Sequence, residues 1–254
     1  MLLMEISAFR NICALVAHDF GDVVRNPTTL MSCATGVLLT VFIGTIAAGS
    51  SRLTLDECEA FSLVAAFCIV PTFTGCVMEL YVMAEERERG AYLTLVEAGV
   101  SVGEIAVAKW LAATVATLIT QAVACLLLGF AAAEVAVMLA LALVGIQPLL
   151  LAGLACGLTA REQMSSSLLA VPLTAVAVAP ILAFMSQAVR AVTWFWPLGS
   201  AAELLRAAGG MQPVVPVPLL VGIVVLWIVI AAVLVGSSGR RFARELAVER
   251  DRLE

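Results

Sequence analysis

Ionisable side chains are scarce in this 254-residue chain, so each cluster of them can be weighed on its own. The densest is Glu85-Glu86-Arg87-Glu88-Arg89, five consecutive charges followed by Gly90 and set between two long apolar runs. Charges do not lie in hydrocarbon, so this run marks a membrane–water boundary. Gly90 permits a sharp change of direction. Tyr92, Leu93, Leu95 and Val96 then present a short apolar surface, and Lys109-Trp110 marks re-entry at the headgroup level. The pattern predicts an elbow carrying an exposed helix. Its chemistry is docking, with no bond made or broken.

Other candidates for chemistry are few. Glu79 falls inside an apolar run, where a charge costs about 2.5–3.5 kcal/mol on insertion scales. It is read either as a proton or substrate contact or as a helix-packing or coupling residue. Gln121 and Gln147, also within apolar runs, could hydrogen-bond between helices or line a polar pathway. No G-x-x-x-x-G-K-[ST] phosphate loop occurs: Lys109 is the only lysine and is preceded by Ala-Val-Ala. A single histidine, His18, excludes a His-rich metal site, and with no G-x-S-x-G a Ser/His hydrolase is not supported. Ser165-Ser166-Ser167, at the start of an apolar run, reads as a helix-capping cluster. The seven cysteines form no Cys-x-x-Cys pair and read as small reduced residues; Cys58 alone falls near a loop on the expected outer side.

The elements that must carry these residues follow from composition. The chain is 62% hydrophobic and 13% charged, with mean hydropathy +1.07, against roughly 45–50% and 25% for soluble domains. The fold class is therefore an all-α integral membrane protein. About 20 apolar residues cross the bilayer as a helix, and six stretches qualify, at about 28–48, 60–83, 105–130, 135–159, 168–186 and 214–236. They compose a transmembrane domain over 28–236, preceded by residues 1–27 and followed by a tail, 237–254.

Residues 1–25 are not a span. Leu2, Ile6, Phe9, Cys13, Val16, Phe20 and Val23 form a helical stripe, with Glu5, Arg10, His18, Asp19, Asp22 and Arg25 on other faces. A helix lying along the cytoplasmic interface fits, and a helix packed wholly on protein is the alternative. No cleavable signal peptide is expected. With both termini inside, eleven of the fourteen Lys and Arg residues fall on inner segments and Arg52, Arg190 and Arg206 fall outside, which sets the expected orientation.

In the fifth stretch Pro172 is expected in the first helical turn and Pro180 at a kink. Gln187–Pro213 is too apolar for an ordinary loop. Its aromatic cluster Trp194-Phe195-Trp196-Pro197-Leu198, then a short helix over Ala201–Ala208 ended by Gly209-Gly210, predict a re-entrant or surface-lying hairpin on the outer leaflet.

These residues resemble the permease subunit of a type-2 ATP-binding cassette (ABC) exporter. The elbow is similar to that family's Glu-basic-x-x-Gly run with leucines after it: Glu86, Arg87 and Gly90 match, then Leu93 and Leu95, and Lys109 at the start of the third span. It departs in having Ala91 after the glycine, and Gly99 where a proline often precedes the Val-Ser pair, here Val100-Ser101, which leaves the helix end open. Ala160-Arg161-Glu162-Gln163 resembles the family's short inner loop, and Pro197-Leu198 followed by Arg206 its segment after the outer hairpin. The resemblance implies a half-transporter with no ATPase site of its own. A separate ABC ATP-binding subunit would bind ATP and Mg, and a second permease chain would pair with this one as a homo- or heterodimer. The elbow would be the coupling helix. It further implies a multi-pass protein of a prokaryotic cell (inner/plasma) membrane, embedded in the lipid bilayer with both termini cytoplasmic, exporting a drug, peptide, lipid or ion, and no nucleic-acid partner. The competing reading is a secondary transporter or channel driven by an ion gradient, with Glu79 as its ionisable centre. An intramembrane enzyme finds no constellation to support it.

Overall fold

Long apolar segments satisfy their backbone in lipid only as helices or closed barrels, and every regular element among the described residues is helical. The structure is a computed structural model; it describes residues 2–51 and 53–252, with side chains from Ala8 onward. The side chains of Leu2, Glu5 and Ile6, and Arg52, Leu253 and Glu254, lie outside the described residues. Five helices are long and apolar enough to cross a membrane, or six when a bent pair is counted as one. The protein is an all-α, membrane-embedded helix bundle.

Helix α1 covers Leu2–Arg25 and ends at Asn26, whose side chain accepts from Thr28 N at 2.9 Å and so caps α2, Pro27–Ala48. Thr54 and Glu57 form a capping box that starts α3, Leu55–Val70. The helix then widens into a π-helical turn, Pro71–Val77, before continuing as α4, Met78–Glu88. Pro71 has no N–H to offer the preceding turn, and the wider turn accommodates it without breaking the rod. This 34-residue column is the centre of the bundle: 83% of its apolar window is buried, against 22–44% for the other long helices. Its Val64 and Phe67 pack in one cluster with Met138, Ile146 and Leu150.

After α5, Ala91–Glu97, comes α6, Val102–Leu127, begun by a second capping box, Ser101–Glu104. α7, Ala132–Gly145, and α8, Gln147–Gly157, are the bent pair, meeting at 45° with Pro148 in the first turn of α8. α9 runs Gln163–Val178 and passes into a 3₁₀ segment at Ala179–Phe184, so the helix does change character at Pro180. Pro172 is a correction. Because α9 begins at Gln163, Pro172 lies in the helix interior and not in its first turn. The cap there is Glu162, with Ser165 completing the box.

α10, Gln187–Thr193, and α11, Gly199–Ala208, form the hairpin between the last two long helices. Most of α11 is buried, and Ala201, Ala202 and Leu205 join the central cluster, so this half of the hairpin is inserted among the helices, while α10 is largely exposed. α12, Val217–Asp251, is one unbroken helix of 35 residues through both the apolar stretch and the charged tail. Successive connections alternate between two ends of the bundle. One end gathers α1, the elbow, the 158–162 loop and the tail of α12; the other gathers residues 44–59, 127–134 and the hairpin.

Candidate functional site: the charged elbow

Two glycines define the elbow. Gly90 takes φ +70° between α4 and α5, a conformation that side-chain-bearing residues avoid. Gly99 takes φ +86° at the other end. There Gly99 N donates to Val96 O and Val100 N to Leu95 O, both at 3.0 Å, the two bonds of a Schellman stop. The end of α5, left open by the sequence, is thus set by Gly99: a left-handed glycine terminates the helix where a proline would have done so otherwise.

Every charge of the run is partnered, two of them with each other. Glu85 pairs with Arg89 one turn on and accepts from Asn26 Nδ2 at 3.4 Å. Glu86 reaches forward to Lys109 on α6, Oε1 to Nζ 2.5 Å, and the same ammonium lies 2.8 Å from Asp19 Oδ1 on α1. Arg87 donates to the carbonyls of Leu158 and Ala160 at 3.3 Å, pairs with Glu245 of the tail, and stands 4.9 Å over the ring of Phe242. Glu88 Oε1 accepts from Gln163 N at 2.7 Å, at the start of α9. Glu245 lies beyond the apolar part of α12. The hydrogen bond from Arg87, aided by Arg161 and only partly opposed by burial, holds its carboxyl below the usual range.

Two expectations change. Lys109 is not a free surface cation: it is 8% exposed and bridges two carboxylates. Tyr92 is not part of an exposed grip either. It is 1% exposed and meets Phe242 edge-on, centroids 5.3 Å apart, because a phenol ring this close to the tail helix buries more surface inward than outward. Leu95 and Val96 pack partly against the same cluster, and Leu93 is half-buried. The exposed side of α5 is Thr94, Glu97 and Ala98, continuing to Gly99. Beside it a cleft of about 480 Å³ opens between α1, the elbow and α6, lined by His18, Asp22, Glu86, Arg89, Thr94 and Lys109 among others.

Asp19, which the sequence placed off the apolar stripe of α1, is 8% exposed and faces α6. The outward residues of α1 include Phe9 and Cys13 of the apolar stripe, while Phe20 and Val23 pack toward Cys33 and Met78. A single lysine in an apolar span needs a carboxylate, which was the available signal for Asp19. Glu245 had no comparable signal.

Glu79, Gln121 and Gln147 are buried but do not share one site. Gln147 accepts from Trp110 Nε1 at 2.6 Å and donates to Leu143 O at the α7–α8 bend; Gln121 reaches Ala66 O at 3.5 Å. Glu79 lines a small pocket with Asp19 and Lys109. In the hairpin, Trp194 and Trp196 are half-buried beside Pro197, and Trp194 packs edge-on against Phe195, whose carbonyl accepts from Trp227 at 2.7 Å. Arg206 is anchored, not free: it pairs with Glu203, donates to Pro180 O at 3.2 Å and lies 4.0 Å over Phe184. Glu203, which sequence reasoning did not single out, also takes both Nε (2.9 Å) and Nη2 (2.7 Å) of Arg190.

Fold and site together define a membrane-embedded helix bundle whose charged elbow ties four segments at one end. A scan against protein-family models finds no match for the chain, and neither does a search of curated proteins.

Proposed function

We propose that this chain is the permease subunit of an ATP-driven exporter of the type-2 ABC kind. It pairs with a second permease chain and works with a separate ATP-binding subunit that holds ATP and Mg. The observation that carries this reading is the elbow. A seven-residue helix, α5, is bounded by two left-handed glycines and rests on the tail of α12 through Tyr92 and Phe242. It follows directly on the end of α4, whose Glu86, Arg87 and Glu88 bind Lys109 of α6, Glu245 of the tail of α12 and the start of α9. A push on the outer side of α5 reaches those spans through Gly90 and the charged end of α4. In this reading the exposed side, Thr94, Glu97 and Ala98, faces the ATP-binding subunit, and the elbow end of the bundle is cytoplasmic in a prokaryotic cell membrane. The cargo is a drug, peptide, lipid or ion; the apolar outward faces of the spans favour a lipophilic one.

The reading is tested by purifying the chain from its native membrane in mild detergent. An ATPase should accompany it, and transport by the reconstituted complex should need ATP. Exchanging the charges, Glu86→Arg with Arg87→Glu, should abolish transport while ATP binding to the partner subunit persists. Transport by the chain alone, driven by an ion gradient without nucleotide, would instead establish a secondary transporter.

A further inference from the structure

A carboxylate removed from water without hydrogen-bond donors is among the costliest groups a bundle can hold. Glu79 is 3% exposed, and neither of its oxygens has a partner among the described residues. It lines a pocket of about 30 Å³ between α1, α4 and α6 together with Asp19, Asp22, Thr29 and Lys109. That space has room for one water. Asp19 has one oxygen on Lys109, and its other oxygen, Oδ2, is likewise buried and unpartnered. Three unpartnered carboxylate oxygens therefore belong to two residues on separate elements that line one water-sized space.

The charges around it do not balance. Facing the pocket region are His18, Asp19 and Asp22 from α1, Glu86 on the same helix as Glu79, and Lys109 from α6. Arg89 is exposed and bound to Glu85; His18 is exposed, 3.6 Å from Asp19 and 3.8 Å from Asp22. α2 contributes no charged side chain, only Cys33; Cys76, Cys156 and Tyr92 are the remaining titratable neighbours. One buried ammonium thus makes its ion pairs with Asp19 and Glu86, and Glu79 feels its charge without an ion pair of its own.

We propose that Glu79 is a proton-binding site. Its carboxylate takes a proton from water in the pocket, forming an O–H bond as the hydronium donor becomes water. The protonated group then donates to a water in that space, which donates in turn to Asp19 Oδ2. A metal cation fits less well: the Lys109 ammonium, 2.8 Å from Asp19, already fills the cation position, and among the described residues no three His, Cys, Asp or Glu side chains gather to hold one. A proton supplies the missing donor without adding volume. Proton loss sets a third negative charge against Asp19 and Glu86 around one lysine, so protonation and the attachment of α1 are linked. Attachment is strongest at low pH and weakens as pH rises through the titration of the site.

The test uses the full chain in lipid vesicles with ¹³C-labelled glutamate and infrared difference spectra across pH. The expected result is one protonated-carboxyl band, lost in Glu79→Gln, displaced in Glu79→Asp, and unmoved when Na⁺ replaces choline at fixed pH. A spin-label pair on Cys13 and Thr94→Cys, other cysteines replaced, should show the α1–α5 distance broadening as pH rises, with no such change in Glu79→Gln. A spectrum in which Glu79 stays ionised at every pH where the protein is folded overturns the proposal. So does a band abolished by Na⁺, which would make the occupant a metal cation.

Discussion

Lys109 is the chain's single lysine, and its ammonium joins α1, α4 and α6 through Asp19 and Glu86. Removing one partner of a buried pair strands the other charge, at a cost of about 3–5 kcal/mol. Asp19→Asn and Lys109→Met should each lower unfolding stability in detergent by that order. The exchange Asp19→Lys with Lys109→Asp should recover part of the loss, a coupling that independent surface charges would not give. Glu203 makes a second residue-scale case. Burial pushes its carboxyl up, but the hydrogen bond from Arg190 and the charges of Arg206 and Arg190 prevail and hold it below the ordinary range. The stability it contributes is fully present above the ordinary carboxylate value of about 4.3 and is lost as pH falls through its lowered folded value. Glu203→Gln should flatten the acid limb of a stability–pH curve while lowering stability at neutral pH. Glu86, Arg87 and Gly90 were legible because a charge run between apolar runs has few structural meanings. Asp19 and Glu203 were not: Asp19 acquires its role from a cation 90 positions away on another helix, and Glu203 from its burial between Arg206 of its own helix and Arg190 of the same hairpin.

At the scale of elements, α5 exists as a separate helix because Gly90 and Gly99 adopt positive φ at its two ends. A left-handed conformation costs a non-glycine residue about 1–2 kcal/mol. Gly99→Ala should therefore raise amide hydrogen exchange in α5 roughly fivefold or more, with little change in α12. The sequence left the end of α5 open because both proline and glycine stop helices, by different means. Pro71 was hidden for a related reason: within an apolar run it gives no hydropathy signal, and the π-turn keeps the helix continuous through it. Pro172 was misplaced because α9 begins in the polar residues before the apolar run, which hydropathy does not count as helix.

For the whole molecule, apolar runs of spanning length marked the long helices, since no other described structure buries so much hydrocarbon with its backbone satisfied. Their packing was not legible. Nothing in composition ranks the second run above the others, yet it forms the core while the last is mostly outward-facing. The alternation of connections between two ends predicts that exposed Glu97 and Gln187 lie on opposite sides of the membrane. An impermeant maleimide applied to sealed vesicles should label Glu97→Cys and Gln187→Cys from opposite faces; labelling of both from one face would overturn the alternation.

The distance along the chain between Asp19 and Lys109 also sets a schedule. At about 5–20 residues per second of synthesis, the 90 positions separating the pair take roughly 5–20 s to make. For that time α1 has emerged and its partner on α6 has not. The face of α1 that ends up buried must be tolerated without that partner in the meantime. Assembly of this end of the bundle is therefore governed by the ribosome's pace as well as by the strength of the contacts.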